Sequence, residues 1–158
     1  AKMPKPEFDT TDLLKLARTA KSLFENTHIQ ISLDFDPKQD YIIQADKRLL
    51  NQVFNNILKN ASQAIPAKID GKIFIKLKKY SDKILISITD NGLGINEDVK
   101  ERIFEPKFTT KSSGMGLGLA MVKTIIEQHQ GKIRLESEAG RGTTFYFELP
   151  LHISGQTN

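Results

Sequence analysis

The chain has 158 residues, no cysteine, 39% hydrophobic and 27% charged residues, and a formal net charge of +4 spread over scattered basic positions. That length supports one domain with a real core, and the composition is that of an ordinary globular protein. Disulfides and thiolate chemistry are excluded, no apolar run approaches a membrane span, and the N-terminus AKMPKPEFD lacks the apolar centre of a signal peptide, so the chain reads as soluble.

FDTTDLLKLARTAKSLFEN predicts a short extended piece and then a helix, capped by Thr10, Thr11 or Asp12, with Leu13, Leu16, Ala17, Ala20 and Phe24 on one face. HIQISLDF alternates as a strand, DPKQD is a turn and YIIQA a short strand. Asp46 caps a long helix that runs to about Ile65 and stops at Pro66. KIFIKLKKY and KILISITD form a hairpin around Ser81-Asp82. The doublet Lys78-Lys79 beside Tyr80 reads as a solvated face, not a nucleic-acid patch. Residues 91–114 are rich in Gly, Pro, Lys, Thr and Ser, with one short helical piece near Glu97–Ile103; so long an irregular segment in a small domain marks function or disorder. A helix from about Gly116 to His129 follows. The strands KIRLES and TTFYFELP, joined by the turn 138–142, close a single domain of residues 1–153, and 154–158 form a frayed tail. The fold class is α+β: a two-layer sandwich in which about three helices cover one face of a mostly antiparallel sheet.

Some features exceed what folding needs. In the Asp46–Ile65 helix, Leu50, Val53, Phe54, Ile57, Leu58 and Ala61 face the sheet, while Gln52, Asn56 and Asn60 line one edge with Lys59 and Gln63 beside them. Asparagine is a mediocre helix former, and this helix carries Asn51, Asn55, Asn56 and Asn60. Amides on a helix edge ordinarily face water, but an amide oxygen is also a hard neutral ligand suited to Mg²⁺ shared with phosphates. Asp90-Asn-Gly-Leu-Gly94 ends an apolar strand and is at least as much a turn signal as a site. As a site, Asp90 would accept a hydrogen bond from an amino group such as that of adenine. Gly114, Gly116 and Gly118 recur at every second position before an apolar helical run, either as a loose connector or as backbone N–H groups aimed at an anion.

The order of these motifs, NNILKNA, DNGLG, FEPKF, GMGLG and GRGT, resembles the ATP-binding catalytic domain of sensor histidine kinases, within the superfamily shared with gyrase, Hsp90 and MutL (the Bergerat fold). NASQAI and FEPKFTTK resemble the nitrogen-regulation branch. The resemblance covers nearly the whole chain. It implies that Asn60 ligates Mg²⁺, with Asn56 one turn earlier at the nucleotide edge and Lys59 approaching phosphate. It implies that Asp90 reads adenine, with Thr143 joining through a water and Gly92 and Gly94 shaping that end. Phe104 and Phe108 would anchor an ATP lid over about residues 95–115, although plain core packing explains them equally well. Thr110 and Lys111 would reach the phosphates, and Gly114, Gly116, Leu117 and Gly118 would form the phosphate-facing hinge. His129 is a helix-end residue whose cationic form suits the dipole. Gln130 stands where the family has glycine, which touches only the cap geometry.

The implied cofactors are ATP and Mg²⁺. The implied partners are a histidine-bearing dimerization domain of a homodimeric parent and, indirectly, a response regulator; no nucleic acid or membrane contact is implied, and the location is the cytoplasmic side. His28, His129 and His152 are followed by Ile, Gln and Ile, unlike an acceptor site, which places the acceptor outside this chain. Related ATPases carry a water-activating glutamate at the position of Asn56, and an amide cannot act as a general base. This favours transfer to histidine over an ATP-driven conformational ATPase or a non-catalytic binding module. A dinucleotide oxidoreductase is disfavoured because the glycines do not follow a strand as G-x-G-x-x-G.

Overall fold

Caps and alternation set the architecture of the computed structural model, which describes residues 5–105 and 115–155, with the backbone alone for 115–117. Strand β1 (Asp9–Asp12) runs directly into helix α1 (Leu13–Phe24), whose first turn is closed by the Asp12 carboxylate accepting from the Lys15 N–H at 3.2 Å. Thr10 and Thr11 lie within the strand, which leaves Asp12 as the cap. Strand β2 (Ile29–Asp34), strand β3 (Ile42–Ala45), helix α2 (Lys47–Ala64), strands β4 (Gly71–Lys79) and β5 (Lys83–Asp90), and helix α3 (Glu97–Arg102) follow. Helix α4 (Met115–Gln128) and strands β6 (Lys132–Ser137) and β7 (Thr143–Pro150) complete the order.

The main sheet has five strands in the order β2-β4-β5-β7-β6, antiparallel except where β2 meets β4. The hairpin expected around Ser81-Asp82 is the β4–β5 pair. YIIQA is a strand, but it pairs with β1 in a separate two-stranded sheet. One face of the main sheet carries Ile73, Ile75, Leu77, Ile84, Ile86 and Ile88, which share a single core with Leu13 and Leu16 of α1, Leu50 and Phe54 of α2, and Val122 and Ile126 of α4. Each such buried aliphatic side chain contributes about 1.5–3 kcal/mol by leaving water. Among the described residues no helix covers the opposite face, and along β4 Lys72, Phe74, Lys76 and Lys78 are exposed. This is the two-layer α+β arrangement that the alternation predicts.

The helices that will matter, α2 and α4, are joined end to start. Asp46 caps α2 by accepting from Leu49 N–H at 3.1 Å, and its second oxygen accepts from Glu7 N–H at 2.8 Å. Its own N–H donates to Nε2 of His129 at 3.0 Å, while Nδ1 of His129 lies 2.8 Å from the Ile125 carbonyl. A nitrogen that accepts from an N–H carries no proton, so His129 is neutral, protonated on Nδ1 only. Burial also holds its pKa below the usual value. The cationic helix-end role expected for His129 is therefore wrong: the ring is a buried pin, met edge-on by Phe8 at 5.2 Å. Beyond it Gln130 takes φ +60° and closes α4 in place of a glycine, and its side-chain amide holds both backbone groups of Ser154.

Candidate nucleotide site

Two structural devices bring the site together at one end of the sheet. The first is the turn after β5. The Asn91 side chain accepts from Lys72 N–H at 2.8 Å and donates to the Asp70 carbonyl at 2.9 Å, extending the ladder past the strand end. Leu93 N–H then donates to the Ala64 carbonyl at 2.9 Å, which fastens the turn to the C-terminus of α2. A Cβ on Gly92 would lie 2.5 Å from that same carbonyl, and Gly94 sits at φ +76° with its missing Cβ directed into the Glu138 carbonyl. The turn reading of DNGLG holds, and the turn sets Asp90 in the wall of a cavity.

Asp90 is 4% exposed and accepts from Gly92 N–H at 2.8 Å. Burial pushes its pKa up to about 6, against the opposing pull of the Gly92 and Thr143 N–H groups. At neutral pH the group is mostly ionised and accepts only. Opposite it in β7, Thr143 is also buried, and its Oγ1 lies 2.8 Å from Oγ of Ser137.

The second device is α2. Its inner edge brings Asn60 to the same cavity, which is lined by Asn60, Ala61, Ala64, Asp90, Gly94, Ile95, Thr143 and Phe145. As it stands the interior is about 20 Å³, so a ring system enters only if the walls part. A wider, open depression next to it is lined by exposed charged residues such as Glu138 and Arg141 and lacks the carboxylate–amide pair. Nδ2 of Asn60 is buried without a hydrogen-bond partner, and so is Nδ2 of Asn56 one turn earlier. Buried amides in that condition call for a ligand, ion or water. The Asn56 amide packs against α4, where a Cβ on Gly118 would lie 3.6 Å from its Cγ.

Of the residues expected at the site, Asp90, Gly94, Asn60 and Thr143 line one cavity, Gly92 shapes its rim, and Asn56 stands between α2 and α4. Lys59 is exposed on α2 and outside the cavity lining. Phe104 meets Phe145 edge-on at 6.3 Å, so it packs on the core beneath the site. Gly116 and Leu117 fall in the first turn of α4. Phe108, Thr110, Lys111 and Gly114 lie outside the described residues. Sequence reading missed Ser137 and Asn91. Ser137 was within reach: a hairpin joining KIRLES to TTFYFELP over residues 138–142 sets Ser137 opposite Thr143.

A two-layer domain with an asparagine helix edge facing a buried aspartate defines a class of ATP-handling proteins, and this chain belongs to it: the family described as histidine kinase-, DNA gyrase B-, and HSP90-like ATPase matches residues 45–153. Its relatives within that family are sensor kinases. The signal transduction histidine-protein kinase AtoS of Escherichia coli (strain K12) is 44% identical over 153 residues, covering 94% of this chain and 25% of AtoS. The nitrogen regulation protein NtrY of Azorhizobium caulinodans is 34% identical over 160 residues, covering 98% of this chain and 21% of NtrY. The chain thus spans a quarter or less of the length of these relatives. The catalytic domain of histidine kinase ThkA, in a nucleotide-free form, matches with a TM-score of 0.83 at 35% identity, over 95% of this chain and 99% of that one. ThkA in complex with the response regulator protein TrrA matches with a TM-score of 0.78 at 32% identity, over 96% of this chain and 44% of that one. The chain is a histidine-kinase-type ATPase catalytic domain of the two-component class.

Proposed function

We propose that this domain binds Mg²⁺-ATP, with the purine at Asp90 and Thr143 and the phosphates toward Asn60 and Asn56, and gives the terminal phosphoryl group to a histidine outside this chain. One observation carries the reading: a buried carboxylate and a buried amide with unmet hydrogen-bonding capacity line the same cavity. Ionised Asp90 accepts from an exocyclic amine. The amides of Asn60 and Asn56 fit a hard cation, because they offer oxygen without adding negative charge beside a triphosphate. Bound Mg²⁺ supplies charge neutralisation at the phosphates.

The chain's own residues then bind and orient. Asn56 holds no proton-accepting group that could activate water, which suppresses hydrolysis. An imidazole acceptor needs no such base. Its nitrogen lone pair forms the new P–N bond, the bridging P–O bond breaks with its electrons leaving on ADP, and the imidazole proton passes to solvent. The histidines here do not serve as acceptors: His129 has both nitrogens bonded inside the core, and His28 and His152 are each followed by Ile. Roles for Lys59, Phe108, Thr110, Lys111, Gly114, Gly116 and Leu117 at the lid and phosphates belong to this proposal through the family resemblance. So do the homodimeric parent, its cytoplasmic catalytic side and the relay to a response regulator, which the ThkA–TrrA complex and the greater length of the relatives support.

The test mixes this chain with ATP labelled on the terminal phosphate and with the parent's histidine-bearing helical domain. Acid-labile label appears on that domain alone and vanishes when its histidine is replaced. Fast hydrolysis without the partner would instead establish a conformational ATPase, and stable label on serine or threonine would establish another kinase class.

A further inference from the structure

We infer that Ser137 is a specificity-determining residue of the purine pocket, acting through the direction in which it turns the hydroxyl of Thr143. The inference rests on the nucleotide reading above and deepens it. Ser137 ends β6 opposite the first residue of β7, and it is buried. Its Oγ has three neighbours at bonding distance: the Gly142 carbonyl at 2.9 Å, the Ile95 N–H at 2.8 Å and Thr143 Oγ1 at 2.8 Å.

A serine hydroxyl owns one proton and two lone pairs. The Gly142 carbonyl only accepts, so it takes the Ser137 proton. The Ile95 N–H only donates, so it occupies one lone pair. What Ser137 offers Thr143 is the lone pair that remains. Thr143 is therefore the donor in the Ser–Thr bond, its proton is turned away from the cavity, and its oxygen has only lone pairs left for a ligand. Asp90, on the same cavity wall, is an acceptor as well when ionised. The side of the cavity formed by Asp90 and Thr143 is an acceptor-only wall, while the free donor Nδ2 of Asn60 belongs to the α2 side.

An acceptor-only wall matches an exocyclic amine, met directly or through a water that donates to both oxygens. It mismatches a carbonyl at the same ring position, as in hypoxanthine or guanine, because lone pairs then face lone pairs. Sites that leave buried polar groups unpaired discriminate far more strongly than sites that differ only in apolar contact. Ser137 thus joins two tasks: it fixes the start of the 95–96 segment through the Ile95 N–H and fixes the polarity of the base-reading wall through Thr143.

The experiment compares ATP with inosine triphosphate by calorimetry in Mg²⁺ at pH 8, where Asp90 is ionised. The unmodified chain prefers ATP. Ser137→Ala releases the Thr143 proton to turn toward the ligand, inosine triphosphate binds more tightly, and the preference falls by about tenfold, the worth of one hydrogen bond. The double variant Ser137→Ala with Thr143→Val loses that gain, because the hydroxyl that donates is gone. Should Ser137→Ala not fold, Ser137→Cys, alone and with Thr143→Val, gives the same pattern with a smaller shift, since a thiol is a weak acceptor. An unchanged preference in the folded serine variant, or a gain that survives Thr143→Val, overturns the inference while leaving nucleotide binding standing. An unmodified chain that binds neither nucleotide overturns both.

Discussion

The two halves of the candidate site are built on opposite plans. At the end proposed for the purine, Asp90, Asn91, Ser137 and Thr143 all have partners, and the backbone between them is clamped to α2 and to the 138–142 turn. At the end proposed for the phosphates, the amides of Asn56 and Asn60 each hold a buried Nδ2 without a partner. The difference teaches how the work is divided. A base has a fixed hydrogen-bond pattern, so on the proposed reading the fold can set the polar groups that read it in advance, although the cavity walls must still part to admit the ring. A triphosphate with its cation brings charge that must be met by groups held in reserve, and such groups remain unsatisfied until it arrives.

The sharpest way to break this contrast is Asn60→Ala. It should cut phosphoryl transfer to the separate histidine domain by about 100-fold or more, the usual scale for losing a metal-ordering or phosphate-ordering group. Thermal unfolding should change little, within about 1 kcal/mol, because the amide removed had an unmet donor in the free protein. A large loss of stability with normal transfer would reverse the assignment of that end.

Asp90→Asn should act on both binding and stability. Adenine affinity falls by roughly 30-fold, because a carboxylate acceptor becomes a group that also donates. The free domain becomes more stable at pH 8 by on the order of 2 kcal/mol. The sign follows from the raised pKa of about 6. A carboxylate raised above its unfolded value gains its stability contribution below the unfolded value and loses it as pH rises through about 6, so at pH 8 the native protein carries the cost that asparagine removes. The stability gap should therefore close on acidification through about pH 6, where the preference for ATP over inosine triphosphate also weakens in the unmodified chain. Chemical denaturation at several pH values checks the first half and calorimetry the second.

A third substitution probes the joint between the two helices. His129→Phe keeps the bulk but strands the Asp46 N–H and the Ile125 carbonyl, costing about 1–3 kcal/mol above neutral pH. Because burial lowers the pKa of His129, its contribution is complete above the unfolded value and is lost as pH falls below it. The phenylalanine variant should thus lose most of the acid sensitivity below about pH 6.5 that the histidine confers. An unaltered pH dependence would show that His129 carries no proton-linked stability.

Much of this was legible in the sequence, and the reasons differ by region. The β4–β5 hairpin could be read because Ile73, Ile75, Leu77, Ile84, Ile86 and Ile88 alternate strictly, and α2 because its apolar residues keep one helical face between Asp46 and Pro66. The convergence of Asn60 and Asp90 on one cavity could be anticipated because motif order preserves which elements meet. The role of His129 could not, because a residue at a helix end reads as solvated until the fold brings Asp46 against it from 83 positions away. The position of Ser137 opposite Thr143 was within reach of the hairpin, but its role was not: a serine ending a strand is unremarkable until proton accounting across three elements shows that each of its bonding positions is spoken for. Backbone periodicity reports burial; it says nothing about who donates to whom.

The smallest expected effect separates two meanings of glycine at the two ends. At the purine end Gly94 is required for shape: φ is +76° and an added Cβ runs into the Glu138 carbonyl, so Gly94→Ala should destabilise by about 2–4 kcal/mol. Gly118 is different. It lies in α4 without a positive φ, and an added Cβ would meet Asn56 at 3.6–3.8 Å, an ordinary contact. Among the described residues nothing forbids alanine there, and a glycine inside a helix costs about 0.5–1 kcal/mol relative to alanine. Gly118→Ala should raise the stability of the free domain by about that amount. If the phosphate end is completed by its ligand, the start of α4 must adjust as the triphosphate binds, and a stiffer helix opposes the adjustment by a similar energy. ATP should then bind about threefold more weakly, while adenosine, which lacks the phosphates, binds as before. Calorimetry with ATP and chemical-shift titration with adenosine read the two directly. Equal weakening of both ligands would mean that the methyl group disturbs the purine end as well, and the division of labour between a finished end and a reserved end would not hold.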